Sequence, residues 1–224
     1  MLERLEILIG KDNIEKIKSK NILLIGLGGV GGYAFESLIR SGIENITIVD
    51  YDKIDITNLN RQIITNINNI GNSKVEEAYK RAISINKNAK IKKIDVKITL
   101  DNFSILELDK YDYVIDACDT VSVKKEIIRY CLKNNIKFIT CMGMGYKMDP
   151  SKIKIMDIRK TSYDKLAKSI RQMVKKERLK GKIMCVCSDE EKVVKSDKIG
   201  SNSFVPATAG LYLTSYVIND IVGD

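Results

Sequence analysis

A chain of 224 residues, 44% hydrophobic by composition, is long enough for one sizeable core and fits a single α/β domain. It contains no histidine, which excludes Ser-His and Cys-His catalysis and imidazole metal sites and leaves chemistry to carboxylates, Lys, Arg, Cys and backbone amides. The formal charge of +9 is uneven: residues 160–182 carry nine Lys or Arg against two acids, a local +7 suited to a polyanion or to a solvated helix face.

Cys118, Cys131, Cys141, Cys185 and Cys187 form no C-x-x-C pair, so neither a disulfide scaffold nor structural zinc is expected. No apolar run approaches the roughly 18 residues that span a bilayer, and "MLERLEILIGKDN" is too charged for a secretory signal. A cytoplasmic location without membrane association is the expectation.

In chain order, residues 1–18 read as one short helix. Asn21 to Ile25 reads as a buried strand, and Val30 to Ser41 as a helix closed by Gly42. Ile46 to Asp50 is a second strand, completing a βαβ opening. Lys74 to Asn86 has helical spacing, with Val75, Ala78, Ala82 and Ile85 on one face. Strands are expected at Ile91 to Ile98, Tyr113 to Asp119 and in "KFITCMG". Short and long helices fall at Asn102 to Glu107 and in "VKKEIIRYCLKNN". This alternation predicts a Rossmann-like, doubly wound, mostly parallel sheet.

Beyond Gly145 the alternation stops. Asp149 to Ile158 reads as a strand and Tyr163 to Leu179 as a basic helix. A further strand then leads into a polar loop spanning 187–202, and "FVPATAGLYLTSYVINDIVG" reads as a strand end followed by a closing helix. The chain is thus expected to be one domain over 1–224, with a nucleotide-binding part at 1–145 and a substrate-facing extension at 146–224.

"NILLIGLGGVGG" places five glycines within seven residues directly after a strand. Gly26, Gly28 and Gly31 give G-x-G-x-x-G, with Gly29 beside them, and Asp50 ends the next strand. Glycines let a backbone approach phosphates, a helix N-terminus offers N–H groups, and an acid there accepts from ribose hydroxyls. The pattern alone leaves NAD and ATP open.

The next connection, "DYDKIDITNLNRQ", gathers Asp50, Asp52, Asn58, Arg61 and Gln62, and "GNSKVEEA" sets Lys74 at the start of a helix. Cations converging on a phosphate loop suit triphosphate cleavage better than hydride transfer, and Asp119 after the fourth strand can hold Mg2+. For Arg61 a surface ion pair, and for Asp119 a helix cap, are the plain alternatives.

These four stretches, "GLGGVGG", "DYDKIDITNLNRQ", "GNSKVE" and "YVIDACDTVSVK", resemble the ThiF-type adenylating domain of ubiquitin-activating-type enzymes, over roughly Lys20 to Gly143. The resemblance implies Asp50 on the ATP ribose, Arg61 and Lys74 on the phosphates with Asn58 beside them, and Asp119 on Mg2+ at the reacting centre. It also implies a homodimer in which Arg4 reaches the partner's ATP. The shared chemistry, attack of a carboxylate on the α-phosphate, needs no histidine base because the nucleophile is already an anion.

Two readings within that superfamily follow. Activators of ubiquitin-like sulfur carriers commonly carry two C-x-x-C pairs for zinc, whereas only the C-x-C of Cys185 and Cys187 is present. "MGMGYKMDPSKIKIMDIRKTSYDKLAKSIRQMVKK", "SNSFVPATAGL" and "RLEILIG" are instead similar to the bacterial tRNA threonylcarbamoyladenosine dehydratases, nearly end to end. That likeness implies ATP-dependent cyclisation of threonylcarbamoyladenosine beside the anticodon; for such a tRNA the local +7 of residues 160–182 offers Lys165, Lys168, Arg171, Lys175 and Arg178 as phosphate contacts. The likeness leaves room for a monovalent cation and for sulfur-relay partner proteins. A non-catalytic nucleotide- or tRNA-binding module is the third reading, against which Arg61, Lys74 and Asp119 together speak. Cys141, Cys185 and Cys187 read as buried or incidental, because ring closure within one substrate needs no thiol intermediate.

Overall fold

The computed structural model describes residues 1–191 and 199–223. Two short helices, α1 (Glu3–Ile9) and α2 (Lys11–Ser19), replace the single helix expected at the start. Gly10 separates them at φ +84°, a backbone conformation open to glycine and costly elsewhere. The first βαβ unit is β1 (Asn21–Ile25), α3 (Gly31–Arg40) and β2 (Asn45–Val49). There follow α4 (Lys74–Ile85), β3 (Lys90–Ile94), β4 (Tyr113–Asp116), α5 (Val121–Lys133), β5 (Phe138–Cys141), β6 (Ile153–Asp157), α6 (Lys165–Lys176), β7 (Met184–Ser188) and α7 (Phe204–Gly223).

The seven strands form one sheet in the order β3-β2-β1-β4-β5-β7-β6, parallel except for β6 at one edge. A βαβ connection carries the chain from β1 outward to β2, while β4 returns to the other side of β1. The order therefore reverses between β1 and β4, where open α/β sheets form a crevice at their carboxyl ends. Register aligns those ends: Ile25 pairs with both Val49 and Asp116, and Val49 pairs with Ile94.

Alternation along β1 sends Ile22 and Leu24 to one face, against α2, α3, α4 and α7, and Leu23 and Ile25 to the other, against α5 and α6. All but Ile25 are wholly buried, and Ile25 is nearly so. On the first face α7 lies against α3 so closely that a Cβ at Gly210 would stand 2.4 Å from the Val30 carbonyl oxygen. At the outer edge, β3 reads "KIKKI", and its lysines discourage pairing with another strand.

Three boundaries differ from expectation. β4 stops at Asp116, so Asp119 lies in the connection to α5. β3 is shorter than its apolar pattern, ending at Ile94. The strand end expected in "FVPATAGLYLTSYVINDIVG" is helix from Phe204 onward: Asn202 Oδ1 accepts from the Val205 amide and starts it at once, with Pro206 in the first turn where no N–H is required. The expected polar loop 187–202 falls partly on residues 192–198, outside the described residues. No described helix is long and apolar enough to cross a membrane.

Candidate nucleotide site

The glycine loop is shaped by contacts that tolerate no side chain. A Cβ on Gly31 would stand 1.8 Å from the Gly26 carbonyl oxygen, so the first turn of α3 folds directly onto the end of β1. Gly31 was expected at the nucleotide; it is instead buried beneath the loop, and its smallness serves packing. Gly28 is the reverse case. A Cβ there would meet nothing within 4 Å, so the bare backbone faces open space at a helix N-terminus, a cradle for an anion.

That cradle forms one wall of a cleft of about 450 Å3 at the carboxyl ends of the strands. Gly26, Gly28 and Gly29 line it together with Asp50, Asp52, Asn58, Arg61, Gln62, Lys74 and Asp119. The sequence candidates for the nucleotide thus line one cleft, Gly31 and Arg4 excepted. Val96, Ile98 and Val123 add an apolar flank, and Met144, Gly145, Ile199, Ser201 and Pro206, drawn mostly from the two C-terminal stretches similar to the dehydratases, form a further wall.

Asp50 follows β2 and is fixed by two backbone donors, Leu27 N to Oδ2 at 2.7 Å and Asp52 N to Oδ1 at 2.9 Å. Burial pushes its carboxyl pKa up, outweighing Lys74 and those two amides. Lys74, at the first position of α4, is 5% exposed along its side chain and sits 2.7 Å from Asp52 Oδ2, a carboxylate half open to the cleft. A buried ammonium with one exposed partner is a cation held ready for a second anion.

Asn58 Oδ1 accepts from the Asp55 amide in a capping box. Arg61 lays its stem against Gly29 and donates through Nη1 to Thr57 O and Asn60 Oδ1, both at 2.8 Å. Gln62 is buried, and its Oε1 has no hydrogen-bond partner among the described residues. Asp119 is exposed on the cleft; Thr120 occupies the α5 N-cap, so the helix-cap reading of Asp119 is not realised.

Beneath this surface lies a polar cluster that sequence reading missed. Lys124 Nζ donates to Asp116 Oδ2 and to Thr140 Oγ1, and Thr140 Oγ1 donates to the same carboxylate oxygen. Asp116 Oδ1 accepts from the Cys118 amide, so the cluster pins the connection that carries Asp119. Lys124 lies among the buried residues Val123, Ile127 and Ile128 of α5, and that apolar setting was its only signal.

Cys118 lines the cleft, but burial, with the Asp116 charge, pushes its thiol pKa well up. Burial likewise raises Cys141 and Cys185, and takes Cys187 to about 12. Buried protonated thiols are poor nucleophiles, in line with the reading of these cysteines as incidental.

Two candidate groups lie away from the cleft walls. Arg4 is exposed on α1, whose neighbour Leu2 packs against Gly42 at the far end of α3 from the glycine loop. On α6, Lys165, Lys168 and Lys175 are exposed, as is Arg178 just beyond it, while Arg171 is half-buried and donates to Thr161 Oγ1. The start of α6 adjoins the cleft wall, since Asp164 Oδ2 would be 2.6 Å from a Cβ on Gly143.

A glycine cradle, a fixed acid after β2 and two cations at a switch-point crevice are the features of a nucleotide-binding α/β fold. Residues 2–217 match the ThiF family, and the chain belongs to it. It is 34% identical to the tRNA threonylcarbamoyladenosine dehydratase of Bacillus subtilis, covering 99% of this chain and 94% of that one. The E. coli tRNA N6-threonylcarbamoyladenosine dehydratase solved with AMP superposes with a TM-score of 0.91 at 35% identity, over 97% of this chain and 92% of that one. The same E. coli enzyme solved with ATP gives 0.91 at 33%, with the same coverage.

Proposed function

We propose that this chain is an ATP-dependent tRNA threonylcarbamoyladenosine dehydratase acting in the cytoplasm. The observation that carries the reading is the convergence of Asp50, Arg61, Lys74 and Asp119 on one cleft, in a chain similar to such dehydratases along nearly its whole length.

In this reading Asp50 accepts from the ribose, the Gly28 backbone faces the phosphates, and Arg61 and Lys74 offset charge as the threonyl carboxylate attacks the α-phosphorus and pyrophosphate leaves. The carbamoyl nitrogen then attacks the activated carbonyl carbon, losing its proton as AMP departs, and the ring closes with net loss of water. Asp119, an exposed carboxylate on the cleft, fits as a Mg2+ ligand; the ion would supply charge neutralisation at the phosphates.

Residues 1–145 serve the nucleotide, and the part beyond 145 faces the RNA, with Lys165, Lys168, Arg171, Lys175 and Arg178 near tRNA phosphates. The protein works as a homodimer. Because Arg4 lies at the far end of α3, its place in a nucleotide site is in that of a second copy.

The deciding experiment is mass analysis of nucleosides after incubating the protein with ATP, Mg2+ and threonylcarbamoylated tRNA. Loss of one water from the modified base is expected. ATP–pyrophosphate exchange dependent on a ubiquitin-like carrier protein, without change to the tRNA, would overturn the reading in favour of a sulfur-carrier activator.

A further inference from the structure

One exposed side chain in the cleft region touches both halves of the site. Asn60 Oδ1 accepts from Arg61 Nη1 at 2.8 Å, while its Nδ2 donates to the Ser201 carbonyl at 3.0 Å, across 141 residues of chain. Ser201 belongs to the segment 199–202, of which Ile199 and Ser201 line the cleft.

That segment is held as a strap. The Tyr146 amide donates to Gly200 O, Asn202 Nδ2 donates to Lys147 O, and Asn202 Oδ1 caps α7. Ile199, itself largely exposed, rests its Cγ2 over Gly145, where a Cβ would stand 2.5 Å from it. Ile199, Ser201, Met144 and Gly145 line the same cleft as the glycine loop, Asp50 and Lys74, so the strap borders the space beside a bound nucleotide.

We infer that Asn60 is a positioning residue that couples Arg61, on the phosphates, to the strap 199–202, on the acyl-substrate side, so that nucleotide and acyl substrate reinforce each other's binding. The chemistry follows from the amide's two ends. Asn60 holds the Ser201 carbonyl while its Oδ1 is shared with Arg61; when Arg61 turns to a phosphate that shared bond is released and the existing Nδ2 bond to Ser201 is free to tighten, so the strap registers whether phosphates are present. Such linkage is reciprocal: nucleotide tightens the acyl substrate by the same factor that the substrate tightens nucleotide.

The identity of the acyl substrate rests on the function proposed above, but the coupling itself does not require tRNA to test. Amide hydrogen exchange at Tyr146 and Val205, with and without ATP and Mg2+, reads the strap directly. Nucleotide is expected to slow both amides in the wild-type protein by about fivefold, the range of one hydrogen bond. Asn60→Ala is expected to abolish that response while the affinity for ATP, read by calorimetry, changes by less than about threefold. Asn60→Gln, which retains both amide functions, is expected to restore part of it. Equal nucleotide-dependent protection in the wild type and Asn60→Ala, or none in the wild type, would overturn the coupling. Wild-type protein that binds ATP and protects its strap yet leaves threonylcarbamoylated tRNA unchanged would overturn the substrate reading alone.

Discussion

Lys124 Nζ lies 2.7 Å from Asp116 Oδ2, and neither side chain has any exposure to solvent. Burial works against the ammonium, but Asp116 more than offsets it and holds Lys124 charged, its pKa above the ordinary lysine value. Removing one partner strands a buried charge, a change that costs about 3–5 kcal/mol. Lys124→Met is therefore expected to destabilise by that amount, and adding Asp116→Asn to recover a large part of it. Urea unfolding of the two variants checks this; equal stabilities would contradict it.

Asp119 has a different task, since it lines the cleft and caps nothing. Asp119→Ala is expected to cut turnover by at least about a hundredfold while ATP affinity stays within about threefold, because its contribution grows where charge develops. Single-turnover rates and calorimetry separate the two quantities. Turnover within about threefold of wild type, roughly 0.7 kcal/mol, would remove Asp119 from the reaction.

Arg4 and Arg61 provide a complementation test of the homodimer. Each single variant, Arg4→Ala or Arg61→Ala, is expected to be nearly inactive. Mixed dimers carrying one of each should regain activity up to about a quarter to a half of wild type, since one of the two sites then holds both arginines. Mixed dimers that remain as inactive as either parent would place Arg4 outside the site.

The basic surface of α6 is testable through salt. Lys168→Ala and Lys175→Ala, both exposed positions, should each lower the log–log salt slope of tRNA binding by somewhat under about one unit and leave ATP affinity unchanged. Arg171→Ala is expected to act partly through the fold, because its guanidinium is engaged by Thr161. Unchanged slopes for Lys168 and Lys175 would make α6 a solvated face.

Glu36 sets a pH dependence of stability. Burial pulls its carboxyl pKa upward, but hydrogen bonds and charge from Arg81 and Arg40 outweigh that and hold it below the ordinary 4.5. Its contribution is thus complete above the unfolded-state value and lost as pH falls through the lowered native value. Glu36→Gln should cost about 1–2 kcal/mol at neutral pH, and the deficit should shrink toward zero in acid. A pH-independent deficit in denaturant titrations would reject this.

The β1–α3–β2 core was legible because its glycine spacing, strand runs and Asp50 constrain one another. Convergence of Asn58, Arg61 and Lys74 followed from their place in the connection between β2 and β3. Boundaries were less legible where apolarity outlasts pairing: "YVIDACD" stays apolar past Asp116, although the chain leaves the sheet there. Gly10 was read through because nothing in a short amphipathic run reveals a positive φ. Lys124 went unseen because it precedes Lys125, and two adjacent lysines look like a solvated face. The stretches holding Met144 and Ser201 stand out by their likeness to the dehydratases, but their meeting with Asn60 at one cleft is formed in three dimensions, through the Ser201 carbonyl, which carries no residue signature.

The contact between Gly210 and Val30 has a consequence for biosynthesis. The glycine loop is made early and the helix that backs it late, so a ribosome has polymerised all the motif residues before the cleft can close on a nucleotide. Fragments ending before residue 204 would retain every phosphate-binding side chain yet leave α3 without its buttress, and nascent chains should acquire ATP only after α7 emerges.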